Sequence, residues 1–167
     1  ASFDGYAHVW DAATGETLVS VGGDYTGGME WVDWSSDGAR IVTSDDGGAA
    51  EVWNAEDGSF LFGLYERSQS RVSRVAFSPD DQYIATGDLD GKVHMWNGQN
   101  GRHLFELKGH GCDVADGTPL CAIWSVEFSP DGKYLATLGR DKTVHLWDTF
   151  SRESLTVLRQ GEQQPVL

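Results

Sequence analysis

Residues 123–158 read IWSVEFSPDGKYLATLGRDKTVHLWDTFSRESLTVL. The stretch opens with strict alternation, Trp124, Val126 and Phe128 against Ser125 and Glu127, which is the period of a half-buried strand. The alternation stops at Ser129-Pro130-Asp131-Gly132, where Pro fixes φ and Asp and Gly suit a tight reversal. Three further strand patterns follow, "KYLATLG", "TVHLWD" and "SLTVL", separated by "GRDK" and "TFSRE". Four short strands with two- to five-residue turns predict an antiparallel meander. Such a sheet has two apolar faces and cannot bury both by itself, so sheets of this kind must stack.

The same pattern recurs upstream. One copy begins at Val72 (VSRVAFSPDDQYIATGDLDGKVHMWNGQNGRHLFEL) and another at Met29 (MEWVDWSSDGARIVTSDDGGAAEVWNAEDGSFLFGL). A partial copy, the last two strands of a unit, opens the chain at Phe3. Marker tryptophans Trp10, Trp53, Trp96 and Trp147 are spaced by 43, 43 and 51 residues. In each full unit an aromatic residue of the first strand stands 19 before the marker (Trp34, Phe77, Phe128). The eight surplus residues therefore lie between Trp96 and Phe128, in a connection that contains GCDVADGTPLC, residues 111–121. The unit itself is untouched.

Twenty-one glycines, seven tryptophans and only four prolines in 167 residues agree with an all-β chain rich in tight turns. The formal charge is −14, unevenly spread: residues 1–66 carry 13 acids and one base, residues 67–167 carry 13 acids and 11 bases. So acidic a chain is a poor candidate for direct nucleic-acid or anionic-membrane binding, and its first part would attract basic surfaces. No apolar run approaches a membrane span, and the first residues lack the pattern of a signal peptide.

The period, the Trp-Asp pairs at Trp10-Asp11 and Trp147-Asp148, Gly109-His110 and the "FSPDG" turns together resemble WD40 repeats, from Phe3 to about Gly161. The resemblance implies a β-propeller of four-stranded blades. On this reading residues 1–25 are the C-terminal half of a first blade and 26–66 a second. Residues 67–108 are a third, 109–160 a fourth with the expansion at 111–121, and 161–167 a tail. Three and a half blades do not close a ring. The expectation is part of a larger propeller that begins before Ala1, or a ring whose remaining blades come from another chain.

The resemblance also implies a structural hydrogen-bond set in the last blade: His110, Thr137, Asp141 and Trp147. The third blade keeps Thr86, Asp90 and Trp96 without a Gly-His pair, and in the second Gly47 takes the Asp position. His, Thr and Asp together could suggest catalysis, but they fall at the family's structural positions. A buried indole N–H and hydroxyl need partners, and the set supplies them.

Other constellations are weaker. His8, His94 and His145 each stand two before a marker Trp, with Glu51 at the fourth equivalent. Equivalent positions on blades about 10 Å apart cannot share a zinc ion bound at about 2 Å, so solvated strand positions are expected. The turn carboxylates Asp45-Asp46, Glu56-Asp57 and Asp80-Asp81 read as solvated, without a regular calcium loop. No phosphate loop, H-E-x-x-H or G-x-S-x-G occurs, so neither a catalytic group nor a cofactor or metal is expected. Cys112 and Cys121 flank the expansion; a disulfide and two reduced thiols both remain open, and without a second pair they do not make a zinc site.

Binding in this family implies the ring's narrower face, around the channel. One set of positions there is Glu30, Ser73 and Trp124, with Arg71 and Ala122 two earlier; the other is Asp46, Leu89 and Arg140, with Phe3 on the partial blade. Trp124 is the one large aromatic among its equivalents, and exposed Trp beside Arg marks binding anchors; packing beneath the long loop is the alternative. The expected function is a non-catalytic protein–protein interaction scaffold that holds a peptide or protein segment, with a basic partner in view. The alternative is a sensing or regulatory domain of a larger multidomain chain, enzymatic or not. No residue fixes the compartment, and the reading leans to the cell interior.

Overall fold

A computed structural model describes residues 1–23, 27–65, 70–115 and 118–159, with residues 113–115 and 118–120 described by backbone alone. Strands β1 (Tyr6–Trp10) and β2 (Thr17–Gly22) form a two-stranded sheet. Three four-stranded antiparallel sheets follow. They are β3 (Met29–Trp34), β4 (Arg40–Asp45), β5 (Ala50–Asn54) and β6 (Phe60–Gly63); then β7 (Val72–Phe77), β8 (Tyr83–Asp88), β9 (Val93–Asn97) and β10 (His103–Leu107). After a hairpin, β11 (Asp113–Ala115) and β12 (Thr118–Leu120), come β13 (Ile123–Phe128), β14 (Tyr134–Gly139), β15 (Thr143–Asp148) and β16 (Ser154–Arg159). No helix occurs among the described residues. The fold is all-β, with WD40-like propeller blades in sequence order.

The registers repeat from blade to blade. Trp34 pairs with Ile41, Phe77 with Ile84 and Phe128 with Leu135, while Trp53, Trp96 and Trp147 pair with Ile41, Ile84 and Leu135. The turn after each first strand is built by one device. Ser35, Ser78 and Ser129 donate from Oγ to Asp37, Asp80 and Asp131 at 2.6–2.7 Å. The same Oγ atoms accept from the amides of Arg40, Tyr83 and Tyr134. This ties both ends of the turn to one hydroxyl. On Asp131 the Ser129 hydroxyl, with the Lys133 amide and ammonium, brings the pKa down to about 2.

The apolar residues lie between sheets. Val42, Val52 and Leu64 of the second blade meet Val75, Ile84 and Trp96 of the third. Ala85, Met95 and Leu107 on the third blade's other face meet Val126, Leu135 and Trp147 of the fourth. Trp53, Trp96 and Trp147 thus face the preceding blade, and full burial of a large apolar side chain stabilises by about 1.5–3 kcal/mol. Each of the three buried indoles donates to a threonine on the neighbouring strand: Trp53 to Thr43, Trp96 to Thr86, Trp147 to Thr137, at 2.8–2.9 Å. Trp10 pairs with Thr17 of β2, has no strand on its other side among the described residues, and is half exposed.

Polar contacts also cross between blades. Asp81, expected in a solvated turn, is buried at φ 56° and accepts from the Ser36 amide and hydroxyl of the preceding blade at 2.8 and 2.9 Å. Asp45, another expected solvated carboxylate, is buried and accepts from the Ala49 amide at 3.0 Å. Turn geometry explains both departures. A carboxylate that satisfies amide or hydroxyl donors, two at Asp81 and the Ala49 amide at Asp45, is cheaper to bury than those donors are to leave unpaired.

Candidate functional site

The strand starts and the turns between second and third strands share one end of the blades, because Met29 pairs with Asp45, Val72 with Asp88 and Ile123 with Gly139. One main-chain bond recurs there. The amides of Asp46, Leu89 and Arg140 donate to the carbonyls of Gly28, Arg71 and Ala122 at 2.8–3.0 Å. The two sets of positions implied by the family are therefore stitched together, turn to strand, in each full blade. The partial blade joins through the Met29 amide, which donates to the Ser2 carbonyl at 2.9 Å.

A depression of ≈ 520 Å³ opens on this face, and its lining includes Phe3, Glu30, Ser73, Leu89, Trp124 and Arg140. Seven of the nine expected channel-face positions, Ala122 among them, thus meet in one place. Trp124 is 47% exposed, Leu89 40% and Phe3 91%. Arg71 and Asp46 do not line it. Arg71 reaches Glu30 at 3.9 Å, and Asp46 folds over Gly27, where any Cβ would collide with its carboxylate. Ser73 departs from the expectation of a contact residue. It is buried in the floor, and its hydroxyl donates to the Ile123 carbonyl of the next blade at 2.8 Å.

Arg74 also lines the depression, although it was not singled out from the sequence. Its guanidinium lies 4.7 Å from the Trp31 ring centroid on the preceding blade and donates to the carbonyls of Trp124 and Ser73. Trp31, Arg74 and Ser125 occupy equivalent strand positions, so comparing neighbouring blades at that position would have revealed the cation–π pair.

Above the fourth blade stands the β11–β12 hairpin. Asp113 pairs with Leu120 and Ala115 with Thr118, so Cys112 and Cys121 face each other one step further along. They are joined as a disulfide with Cα atoms 4.2 Å apart. A Cβ on Gly91, at φ +82°, would meet the Cys121 carbonyl at 2.8 Å, so the hairpin base sits against the third blade's turn. Gly111 anchors the other side, its amide donating to Asp141 Oδ2 at 2.7 Å.

Beneath the hairpin base, Trp147 Nε1–H donates to Thr137 Oγ1 at 2.8 Å. The threonine proton is then free to point at His110 Nε2, 2.7 Å away, which leaves His110 Nδ1–H for Asp141 at 3.2 Å. Asp141 also accepts from the Thr143 hydroxyl and amide. Burial works against the Asp141 carboxylate, but Thr143, Gly111 and His110 together hold its pKa below the ordinary value. His145 completes a trio with His110 and Asp141, one ligand atom of each lying within 4.8 Å of the others. The His110 nitrogens and Asp141 oxygens are already spent on protein partners, so the arrangement braces the blade.

The three histidines compared in the sequence do not come together. His94 and His145 are buried, against the expected solvated positions, because a ring from the same sheet or its leading segment covers each. His94 meets His103 with centroids 5.4 Å apart, and His145 meets His110 at 4.2 Å. Burial, with His110 adjacent, pushes the His145 pKa down. Glu51 is buried as well, accepting from Tyr65 Oη at 2.6 Å. In the third blade the expected Asp90 is exposed. Asp88, two residues earlier, instead accepts the amides of Asp90 and Lys92 at 3.0 and 2.8 Å. Asp45 does the same work in the second blade, where Gly47 had suggested a broken set.

Registered blades, one tryptophan–threonine bond in each and a channel-side depression define a WD40 propeller segment. The profile of the family "WD domain, G-beta repeat" matches residues 58–97 and 101–148, more than half of the chain. The chain belongs to this family. It is also 46% identical over 44 residues to the general transcriptional corepressor TUP1 of Saccharomyces cerevisiae, an alignment covering 26% of this chain and 6% of that protein. The chain thus matches a small part of that relative's length. Both similarities support protein–protein interaction as its general role.

Proposed function

We propose that this chain is a non-catalytic scaffold that holds a peptide or protein segment in the channel-side depression. The observation that carries the reading is the convergence of Trp124, Leu89 and Phe3, large apolar side chains left exposed from three different blades, in one concavity with Arg140 and Glu30 on its walls. Trp124 is the anchor, Arg140 the charged contact beside it, and the Glu30–Arg71 pair a polar rim. Ser73 and Arg74 hold the floor and present Trp124 rather than meeting the partner. On the same reading, the free edge of β1 and the exposed outer flank of β16 are covered by further blades, from a longer form of this chain or from another chain.

Affinity capture with the chain as bait tests the site. Trp124→Ala and Arg140→Ala should each weaken captured partners by about tenfold. Retention of every partner by both variants sinks the assignment.

A further inference from the structure

The charges around the depression are not equally available. Arg71 faces Glu30 at 3.9 Å, so each partly neutralises the other. Arg74 is held over Trp31 and by the carbonyls of Trp124 and Ser73. Arg140 is different: it is exposed, and among the described residues no carboxylate lies within ion-pair distance of its guanidinium. Its backbone is fixed all the same, since its amide donates to the Ala122 carbonyl at 2.8 Å, two residues before Trp124. An uncommitted guanidinium thus stands beside an exposed indole on a rigid turn, with Leu89 and Phe3 completing the apolar wall.

Resting on the proposed scaffold reading, we infer that the segment bound in the depression is a peptide pairing a large apolar side chain with an adjacent carboxylate. The apolar group enters between Trp124, Leu89 and Phe3, and the carboxylate meets Arg140. A guanidinium offers a carboxylate two parallel donors, and the low-dielectric wall of Trp124 strengthens that pair. The chain's net charge of −14 argues for the opposite partner, a basic one. That field acts at long range and is screened beyond about 8–10 Å in physiological salt, so it governs encounter. At contact, the uncommitted charge in the depression is positive, and local pairing sets which sequence is retained.

Selection of a displayed random-peptide library on the 167-residue chain tests this. The expected binders carry Phe, Trp, Leu or Met next to Asp or Glu. Synthetic copies should lose about tenfold or more in affinity to Arg140→Glu and to Trp124→Ala. They should bind equally to Arg102→Glu, an exposed arginine at the opposite end of the blades. Binders that depend on Trp124 but are enriched in Lys or Arg overturn this inference and leave the scaffold reading standing. Binders indifferent to Trp124, or no binders at all, overturn both.

Discussion

Arg74 donates from Nε to the main-chain carbonyl of Trp124 at 2.7 Å, so a side chain of the third blade holds the backbone of the residue that dominates the fourth blade's channel rim. Its guanidinium is clamped from the other side by the Trp31 ring at 4.7 Å. Three successive blades are thus bridged by one arginine. Arg74→Met keeps the stem but removes the donors and the cation–π contact. The exposed setting lets water take over the carbonyls, so the expected cost is about 1 kcal/mol, read as a fall in the denaturation midpoint at unchanged m-value. Amide exchange should quicken near Trp124. Unchanged stability and exchange would show that the bridge is ornamental.

Thr137 has two clients, Trp147 Nε1–H and His110 Nε2, whereas Thr86 serves Trp96. Valine keeps the shape of either threonine and removes the hydroxyl. Each substitution orphans a buried indole N–H at about 1–3 kcal/mol, and Thr137→Val also strands the His110 acceptor. Urea denaturation should therefore rank Thr137→Val as the more destabilising. The reverse order would place His110 outside the cooperative network.

The Asp131 carboxylate, with a pKa of about 2 against an ordinary 3.8, is lowered chiefly by the Ser129 hydroxyl. The sign follows from the depressed folded value. The group's contribution to stability is fully present above about pH 4 and is lost as pH falls through about 2. Ser129→Ala should move the Asp131 titration up toward 3.8, as followed by carboxyl-carbon NMR. A midpoint still near 2 would assign the shift to the Lys133 amide and ammonium instead.

The four-stranded pattern of each full blade and the site of the extra residues were legible in the sequence because they depend on spacing. The beat from Trp53 to Trp96 to Trp147 places every full blade, and the surplus before Phe128 places the β11–β12 hairpin. The bracing carboxylates were harder to read, because the amides of a turn can be capped from more than one position. Asp88 and Asp45 reach forward from the ends of their strands to cap the turns that follow, where the pattern offered Asp90 in one blade and Gly47 in the other. Ser73 and Asp81 read as surface residues because their partners, Ile123 and Ser36, lie 50 and 45 residues away on other blades. Spacing within one unit carries no record of such bonds. The channel-face residues fall between these cases. The unit fixed their positions, but only packing decided which stay exposed.

The placement of the Cys112–Cys121 bond has a consequence for how this chain tolerates change. The crosslink lies at the foot of the hairpin, where Gly91 buttresses one leg and Asp141 grips the other. A change beyond the crosslink therefore pulls against it before it pulls against the sheet. The foot works as a socket: variation plugged in beyond it leaves the registration of the propeller wall undisturbed.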